Sequence, residues 1–208
     1  MSVSSVKNLI FDLGGVILDL SVDHTLESFS SLSGLSKERI QEIYYSEAGF
    51  LAYEKGEIDD DAFREFVRKT FSIQADDATI DESWNAMLRG IPPVKLDLLT
   101  RLREPFRVFL LSNTNSIHVH HINNVMLRNI PGARNLEHYF DRAYYSHTMG
   151  KRKPDAEIFE QVLEENDLDP RETLFLDDYA INIEGANAVG IRTLHVTSPT
   201  LILDYFHA

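Results

Sequence analysis

Three acidic residues of the sequence occupy positions from which they could bind a metal ion. Asp12 follows the apolar run 9–11, and the adjacent pair Asp177-Asp178 follows the apolar run 174–176. Acids that face one another in a cleft repel strongly unless a hard cation or raised pKa values relieve the repulsion. Mg²⁺ prefers oxygen ligands and is typically held by one or two carboxylates together with substrate phosphate. These residue types therefore predict a magnesium site.

A hydroxyl group, an amide and an ammonium group accompany these acids in the sequence. Ser112-Asn113 follow the apolar run 108–111, and Lys153 precedes a proline. A lysine and a serine hydroxyl beside a bound metal can hold phosphoryl oxygens and neutralise the charge that spreads over them in the transition state. One carboxylate then remains to attack phosphorus. We therefore predict phosphoryl transfer, with Ser112, Asn113 and Lys153 as substrate-binding residues.

Alternating strands and helices are predicted to position these groups. After Pro92-Pro93, helical and strand-like patterns alternate, which indicates an α/β, doubly wound parallel sheet. The predicted strands are 7–12, 107–111, 143–145, 173–177 and 192–196, and the predicted helices are 94–103, one from about 117, 156–165 and 181–189. In such sheets ligands bind beyond the carboxyl ends of the strands, where Asp12, Ser112 and Asp177-Asp178 all fall.

A helical segment interrupts this alternation. From about 21 to 88, polar residues alternate with apolar ones at helical spacing and strand-like runs are absent. Ile58–Ala62 reads as a helix start, followed by an apolar stripe of Phe63, Phe66, Val67 and Phe71. We predict a catalytic core from residues 1–19 and 91–208, with an inserted α-helical cap domain at 20–90.

Composition limits the partners of the chain. With 208 residues and a net charge of −13, the surface should repel a polyanion, so nucleic acid is not an expected partner. No apolar stretch is long enough to span a bilayer, and no secretion signal is recognisable at the start, so a cytoplasmic location is expected. The expected partner is a small phosphorylated metabolite; the oligomeric state, monomer or homodimer, stays open.

Four segments together resemble the haloacid dehalogenase (HAD) superfamily of hydrolases. They are Phe11–Val16, Leu110–Asn113, Gly150–Pro154, and Phe175–Asp178 with Asn182. The resemblance implies a Rossmann-like core with a small helical cap that closes over the site. It also implies that Asp12 is the nucleophile, that Ser112 and Lys153 bind phosphate, and that Asp12, Asp178 and the Gly14 carbonyl hold Mg²⁺. Asp177 would assist through water or by orienting Lys153, and Asn182 would support that loop.

The resemblance implies an Mg²⁺-dependent phosphatase that passes through an aspartyl-phosphate on Asp12. Within the superfamily the chain is most similar to bacterial sugar-1-phosphate phosphatases, which include α-D-glucose-1-phosphate phosphatase. The segments that carry this similarity are 12–19, 112–115, 152–154 and Asn182–Asn187. The expected substrate is therefore a sugar phosphate.

One position departs from the superfamily pattern. Phosphatases of the superfamily usually carry an acid two residues after the nucleophile, where this chain has Gly14. General acid-base catalysis contributes about 10²–10⁴ in rate. Asp19 or His24 is a hypothetical substitute. Two alternatives to the phosphatase are a catalytically weak phosphate-binding or regulatory protein and, less favoured because it needs no metal, a 2-haloacid dehalogenase.

Other conspicuous residues are expected to be structural or to face the substrate. His118, His120 and His121 lack the spacing of a helical metal site, so we expect solvated or half-buried histidines. Aromatic residues of the predicted cap should mostly form its core. The candidates for the lip of the cap are Tyr44, Tyr45, Glu47, Phe50 and Tyr53.

Overall fold

The computed structural model describes residues 5–207. Its strands are β1 Asn8–Phe11, β2 Asp19–Leu20, β3 Leu88–Gly90, β4 Arg107–Ser112, β5 Arg142–Tyr145, β6 Thr173–Asp177 and β7 Arg192–His195. Five of them form one sheet in the order β5-β4-β1-β6-β7, and every neighbouring pair is parallel. The predicted fold class is confirmed, and each predicted strand lies within one or two residues of an observed one.

Helices cover both faces of this sheet and fill the segment between β2 and β3. They are α1 Val22–Ser33, α2 Lys37–Ser46, α3 Ala48–Glu54, α4 Asp60–Phe71, α5 Asp77–Asn85, α6 Pro93–Leu102, α7 Ser116–His121, α8 Ser146–Met149, α9 Ala156–Glu165, α10 Ala180–Ala188 and α11 Leu201–His207. Helix α7 continues into a wider π-type turn, Ile122–Met126. Among residues 5–207, no helix combines the length and apolar character needed to cross a membrane.

The central strand β1 has both faces buried. Leu9 and Phe11 pack into one hydrophobic cluster, while Ile10 packs into another on the opposite face. Phe11 is in register with Leu110 of β4 and with Leu176 of β6. Because parallel strands in register end at the same edge, the residues that follow β1, β4 and β6 are brought together.

Helices α1–α5, here called the helical insert, have a hydrophobic core of their own. Helix α4 begins where the sequence predicts: Asp59 caps it by accepting a hydrogen bond from the Ala62 amide at 2.9 Å. Phe63 on this helix is fully buried and stacks on Tyr53, with ring centroids 4.0 Å apart. The insert core consists mainly of Leu26, Phe29, Ile40, Phe50, Tyr53, Phe63, Val67, Phe71, Ile80 and Trp84.

The two chain crossings between sheet and insert are paired with each other. Strand β2 runs antiparallel to β3, with Asp19 opposite Gly90 and Leu20 opposite Leu88. The chain therefore leaves the core and returns to it at one place. Division into a core at 1–19 and 91–208 and a cap at 20–90 remains our proposal, and residues 1–4 and 208 of that core lie outside the described residues.

His118 lies where the insert meets helix α7. Its ring stacks on Trp84 at 5.0 Å between centroids, and its Nδ1–H donates to the Asn85 Oδ1 at 2.9 Å. The side chain is buried rather than half-solvated, which differs from the sequence expectation. Burial lowers the pKa of His118 to about 3, so the ring is neutral near pH 7.

The buried neutral His118 predicts a loss of stability in mild acid. The unfolded chain takes up a proton near pH 6.5, whereas folded His118 does so only near pH 3, so stability falls as pH drops below about 6.5. Between pH 7.5 and 5.0 the wild-type protein should lose about 2 kcal/mol more than His118→Gln. Urea unfolding of both proteins at the two pH values measures this difference. Equal losses would contradict a neutral, buried His118.

Candidate active site

A buried lysine joins two carboxylates at the carboxyl edge of the sheet. The Lys153 ammonium donates to Asp12 Oδ1 and to Asp177 Oδ2, each at 2.6 Å. Lys153 is 1% exposed and its ammonium lies 5.2 Å from the centre of the Phe175 ring. The structure thus brings together three of the residues that the sequence singles out, and it encloses them.

The pKa values in this cluster reflect burial in competition with charge. Burial raises the pKa of Asp12 to about 7, although Lys153 acts in the opposite direction. Burial lowers the pKa of Lys153, but Asp12 and Asp177 outweigh that effect and raise it above its ordinary value. Burial and the neighbouring Asp177 raise the pKa of Asp178. These raised pKa values mean that the cluster favours the binding of additional positive charge.

The donor set fits a hard divalent cation. Oxygens of Asp12, Asp177 and Asp178 all lie within 4.8 Å of one another, and one ammonium leaves their negative charge in excess. Hydrogen bonds in the following turn use the Leu13 carbonyl and the Gly15 amide. The Gly14 carbonyl is not an acceptor in any hydrogen bond of the described residues, so it remains available as a further oxygen ligand.

Supporting hydrogen bonds fix Asp177. Its carboxylate accepts from the Tyr179 amide at 2.7 Å and from the Asn182 side chain at 3.1 Å. The fully buried Asp177 therefore has fixed partners on both the Lys153 side and the α10 side. Asn182 thus contacts Asp177, and the supporting role that the family resemblance implies for it stays a prediction.

Asn113 and Ser112 follow one another but have different surroundings. The Asn113 side chain contacts the backbone of Lys153 at both ends: its Nδ2 donates to the Lys153 carbonyl and its Oδ1 accepts from the Lys153 amide, each at 2.9 Å. This pairing orients Lys153, an arrangement that the prediction of a substrate-binding Asn113 did not include. Ser112 ends β4, is 2% exposed, and lines the cavity described below.

The first turn after β1 approaches Asp178 so closely that only glycine fits. Gly15 has φ +72°, and a Cβ atom there would lie 2.0 Å from Asp178 Oδ2. Glycine meets both requirements, since it adopts positive φ freely and has no side chain. Gly15 of the first sequence motif thus has a steric reason: it lets the loops after β1 and β6 share one site.

A small cavity of about 120 Å³ lies between this edge and the helical insert. Its walls combine core residues with insert residues. They are Leu13, Gly14, Leu18, Ser112, Asn113, Thr114, Asn115, His118 and Ile122 from the core and Leu20, Val22, Tyr44, Glu54, Trp84, Met87 and Leu88 from the insert or its linkers. A site that is lined from two units in this way can enclose a small ligand.

Only one of the candidates for the lip lines this cavity. Tyr44 does, whereas Phe50 and Tyr53 are buried in the insert core, and Tyr45 and Glu47 are exposed. Sequence reasoning missed Glu54, because an acid at the end of an amphipathic helix resembles a solvent-facing residue. A local signal that could have indicated it is the segment Tyr53–Gly56, where an aromatic residue and an acid precede a glycine.

Among residues 5–207, His118, His120 and His121 do not lie close enough together to share one ion. His120 and His121 line a separate, larger groove between α5 and α7, while His118 turns into the small cavity. Within residues 5–207, Asp12, Asp177 and Asp178 are the group of three metal-binding side chains that lie close enough to share an ion. The interpretation of these histidines as non-ligands stays a prediction.

Comparison with known proteins identifies the family. A sequence profile of the haloacid dehalogenase-like hydrolases matches residues 6–190. The chain is similar to an HAD family enzyme from Bacteroides thetaiotaomicron, solved in complex with magnesium and inorganic phosphate (TM-score 0.84, 38% identity, 91% of this chain and 93% of that chain). It is also similar to a predicted HAD-like hydrolase of Porphyromonas gingivalis (TM-score 0.84, 30% identity, 92% and 91%).

A curated relative is the D-ribitol-5-phosphate phosphatase of B. thetaiotaomicron, 29% identical over 188 residues, which are 90% of each chain. The chain belongs to the haloacid dehalogenase-like hydrolase family. It is a phosphoric monoester hydrolase of that family, as the sequence predicts. The narrower similarity to α-D-glucose-1-phosphate phosphatase stays a prediction, since this relative is named for a different phosphate ester.

Magnesium should stabilise the folded protein through the acidic cluster. At about 100 times its Kd, a ligand that binds only the folded state adds about 2.7 kcal/mol, which corresponds to a Tm increase of about 5–10 °C for a chain of this size. Asp178→Asn should abolish most of this increase, whereas Asp97→Asn, an exposed acid on α6, should retain it. Thermal unfolding with and without MgCl₂ measures the effect. A full shift in Asp178→Asn would exclude Asp178 as a ligand.

Proposed function

We propose that this protein is an Mg²⁺-dependent phosphatase that hydrolyses a small sugar or polyol phosphate through an aspartyl-phosphate on Asp12. One observation carries the proposal: the Asp12 carboxylate lies at the end of the central strand, bonded to the buried Lys153 and within 4.8 Å of two further carboxylates. This arrangement supplies a nucleophile and a neutralising cation together with the ligands of a metal ion.

Each residue of the cluster has a role in the proposed reaction. Asp12 attacks phosphorus and displaces the alcohol, and Lys153 and Ser112 hold phosphoryl oxygens as negative charge spreads over them. Asp177 positions Lys153, and Asn182 and the Tyr179 amide hold Asp177 in turn. The bidentate contact of Asn113 with the Lys153 backbone adds to this preorganisation.

Asp12, Asp178 and the Gly14 carbonyl would hold the magnesium ion, with Asp177 close by. When bound, the ion neutralises charge on the phosphoryl oxygens and orients the ester. The solved HAD relative that contains magnesium and inorganic phosphate supports this assignment. A bound Mg²⁺ ion would also offset locally the net charge of −13, which alone would disfavour an anionic substrate.

The cavity supports a small, hydroxylated substrate. Its volume is about 120 Å³, and Glu54, Asn113, Asn115 and His118 contribute polar side chains to its wall. The D-ribitol-5-phosphate phosphatase is consistent with such an ester. A sesquiterpene phosphatase of Aspergillus oryzae, 28% identical over 198 residues, is named for a bulkier and more apolar substrate, which this cavity does not favour. We propose that the helical insert acts as the cap that selects the ester.

The two alternatives make different predictions. A phosphate-binding or regulatory protein would bind inorganic phosphate without releasing it from esters. The L-2-haloacid dehalogenase of Xanthobacter autotrophicus, at 19% identity, shares the fold alone. Three carboxylates around one lysine are unfavourable without a metal ion, and they therefore support the phosphatase rather than a metal-free dehalogenase.

Replacing the nucleophile should abolish turnover. A panel of sugar and polyol phosphates, with D-ribitol 5-phosphate and α-D-glucose 1-phosphate included, is assayed for phosphate release with MgCl₂. Wild-type protein should release phosphate from at least one ester, and Asp12→Asn should reduce kcat by on the order of 10³-fold or more. Chelation of the metal should have a similar effect. Activity that survives both changes would contradict the mechanism.

A further inference from the structure

The active site needs a proton donor that its first loop does not contain. A primary alkoxide is a poor leaving group unless it is protonated as the P–O bond breaks, and Gly14 has no acid to offer. The substitutes suggested by the sequence do not line the cavity. Asp19 is 46% exposed and pairs with Lys95 at 3.2 Å, and exposed His24 bonds to Ser21 at 2.9 Å.

Three titratable side chains line the cavity among the described residues: Tyr44, Glu54 and His118. Burial raises the pKa of Tyr44 so far that it cannot accept and return a proton near neutral pH. His118 is neutral, its pKa is lowered to about 3 by burial, and its Nδ1–H is held by Asn85. These shifts leave Glu54 as the candidate for proton exchange among the three side chains.

The surroundings of Glu54 suit proton transfer. It shares the cavity wall with Gly14, Ser112 and Asn113, so it borders the loops that follow β1 and β4 at the carboxyl edge of the sheet. Burial raises its pKa above the ordinary value, although the Arg152 guanidinium, whose Nη2 lies 3.2 Å from Glu54 Oε2, acts to lower it. Its side chain is 25% exposed, so water can reach it.

The backbone around Glu54 is fixed to the core. The Ser146 hydroxyl donates to the Glu54 carbonyl at 2.6 Å. Two residues later Gly56, at φ +69°, approaches the core so closely that a Cβ atom would lie 2.0 Å from the His147 carbonyl oxygen. These contacts hold the helical insert against the core at Glu54. The Glu54 side chain is therefore kept over the cavity rather than in solvent.

We propose that Glu54, supplied by the helical insert, is the catalytic acid and base of this phosphatase; this rests on the proposed function. In the first step Asp12 bonds to phosphorus, the P–O bond to the alcohol breaks, and the departing oxygen takes the proton of Glu54. In the second step the Glu54 carboxylate takes a proton from water, the water oxygen bonds to phosphorus, and the P–O bond to Asp12 breaks. Phosphate leaves, and Glu54 is again protonated.

Two esters separate this role from a structural one. D-Ribitol 5-phosphate, or the alkyl phosphate of the panel that the wild-type protein hydrolyses fastest, needs a proton on its leaving oxygen; p-nitrophenyl phosphate does not. Glu54→Gln should lower kcat for the alkyl ester by about 10²–10⁴-fold. With p-nitrophenyl phosphate it should still give a burst of one p-nitrophenolate per protein, followed by slow turnover, because only the second step then lacks its base.

The control variant is Glu57→Gln, an exposed glutamate in the turn that follows α3, three residues after Glu54, which should behave as wild type. Asp12→Asn should give no burst. The high-pH limb of the wild-type kcat/KM profile with the alkyl ester should be missing in Glu54→Gln. Two results would overturn the role of Glu54 and leave the phosphatase standing. One is an unchanged kcat of Glu54→Gln with the alkyl ester. The other is that Glu54→Gln loses the p-nitrophenolate burst together with its turnover of the alkyl ester. A wild-type protein that releases phosphate from no ester would overturn both.

Discussion

A lysine ammonium buried between two carboxylates determines the architecture of this site. Removing these charges from water is costly, and the cost is offset only when each charge has close partners. Lys153 has Asp12 and Asp177 at 2.6 Å, and its backbone is held by Asn113. All of these residues must therefore reach one point, which three adjacent parallel strands and one loop accomplish by ending at the same edge of the sheet.

The helical insert supplies the cavity walls that the sheet edge lacks. The sheet edge carries the proposed nucleophile and metal ligands, and the helical insert walls the adjacent cavity with Tyr44, Glu54 and Trp84. The aromatic core of the insert gives these side chains a rigid base, with Trp84 stacked on His118 of the core. The proposed chemistry at the sheet edge and the enclosure of the cavity therefore both depend on the interface between the helical insert and the core.

The sequence predicts the sheet side of this site well and the insert side poorly. Apolar runs that end in an acid or a serine identify Asp12, Ser112 and Asp177, since a buried strand leaves a clear pattern. Glu54 carries no such pattern, because its environment arises from Arg152 and Ser146, about 100 residues away in the chain. The two-residue strand β2 and the burial of His118 depend likewise on distant partners and cannot be read from local spacing.

The pairing of β2 with β3 has a consequence for how such proteins diversify. Because the chain leaves and re-enters the core at adjacent points, residues 22–85 can be exchanged as a block while the strands of the main sheet keep their order. Because Glu54 lies inside this block, a transplant would carry the proposed proton donor with it, so the proposed substrate selection and proton transfer would be inherited together.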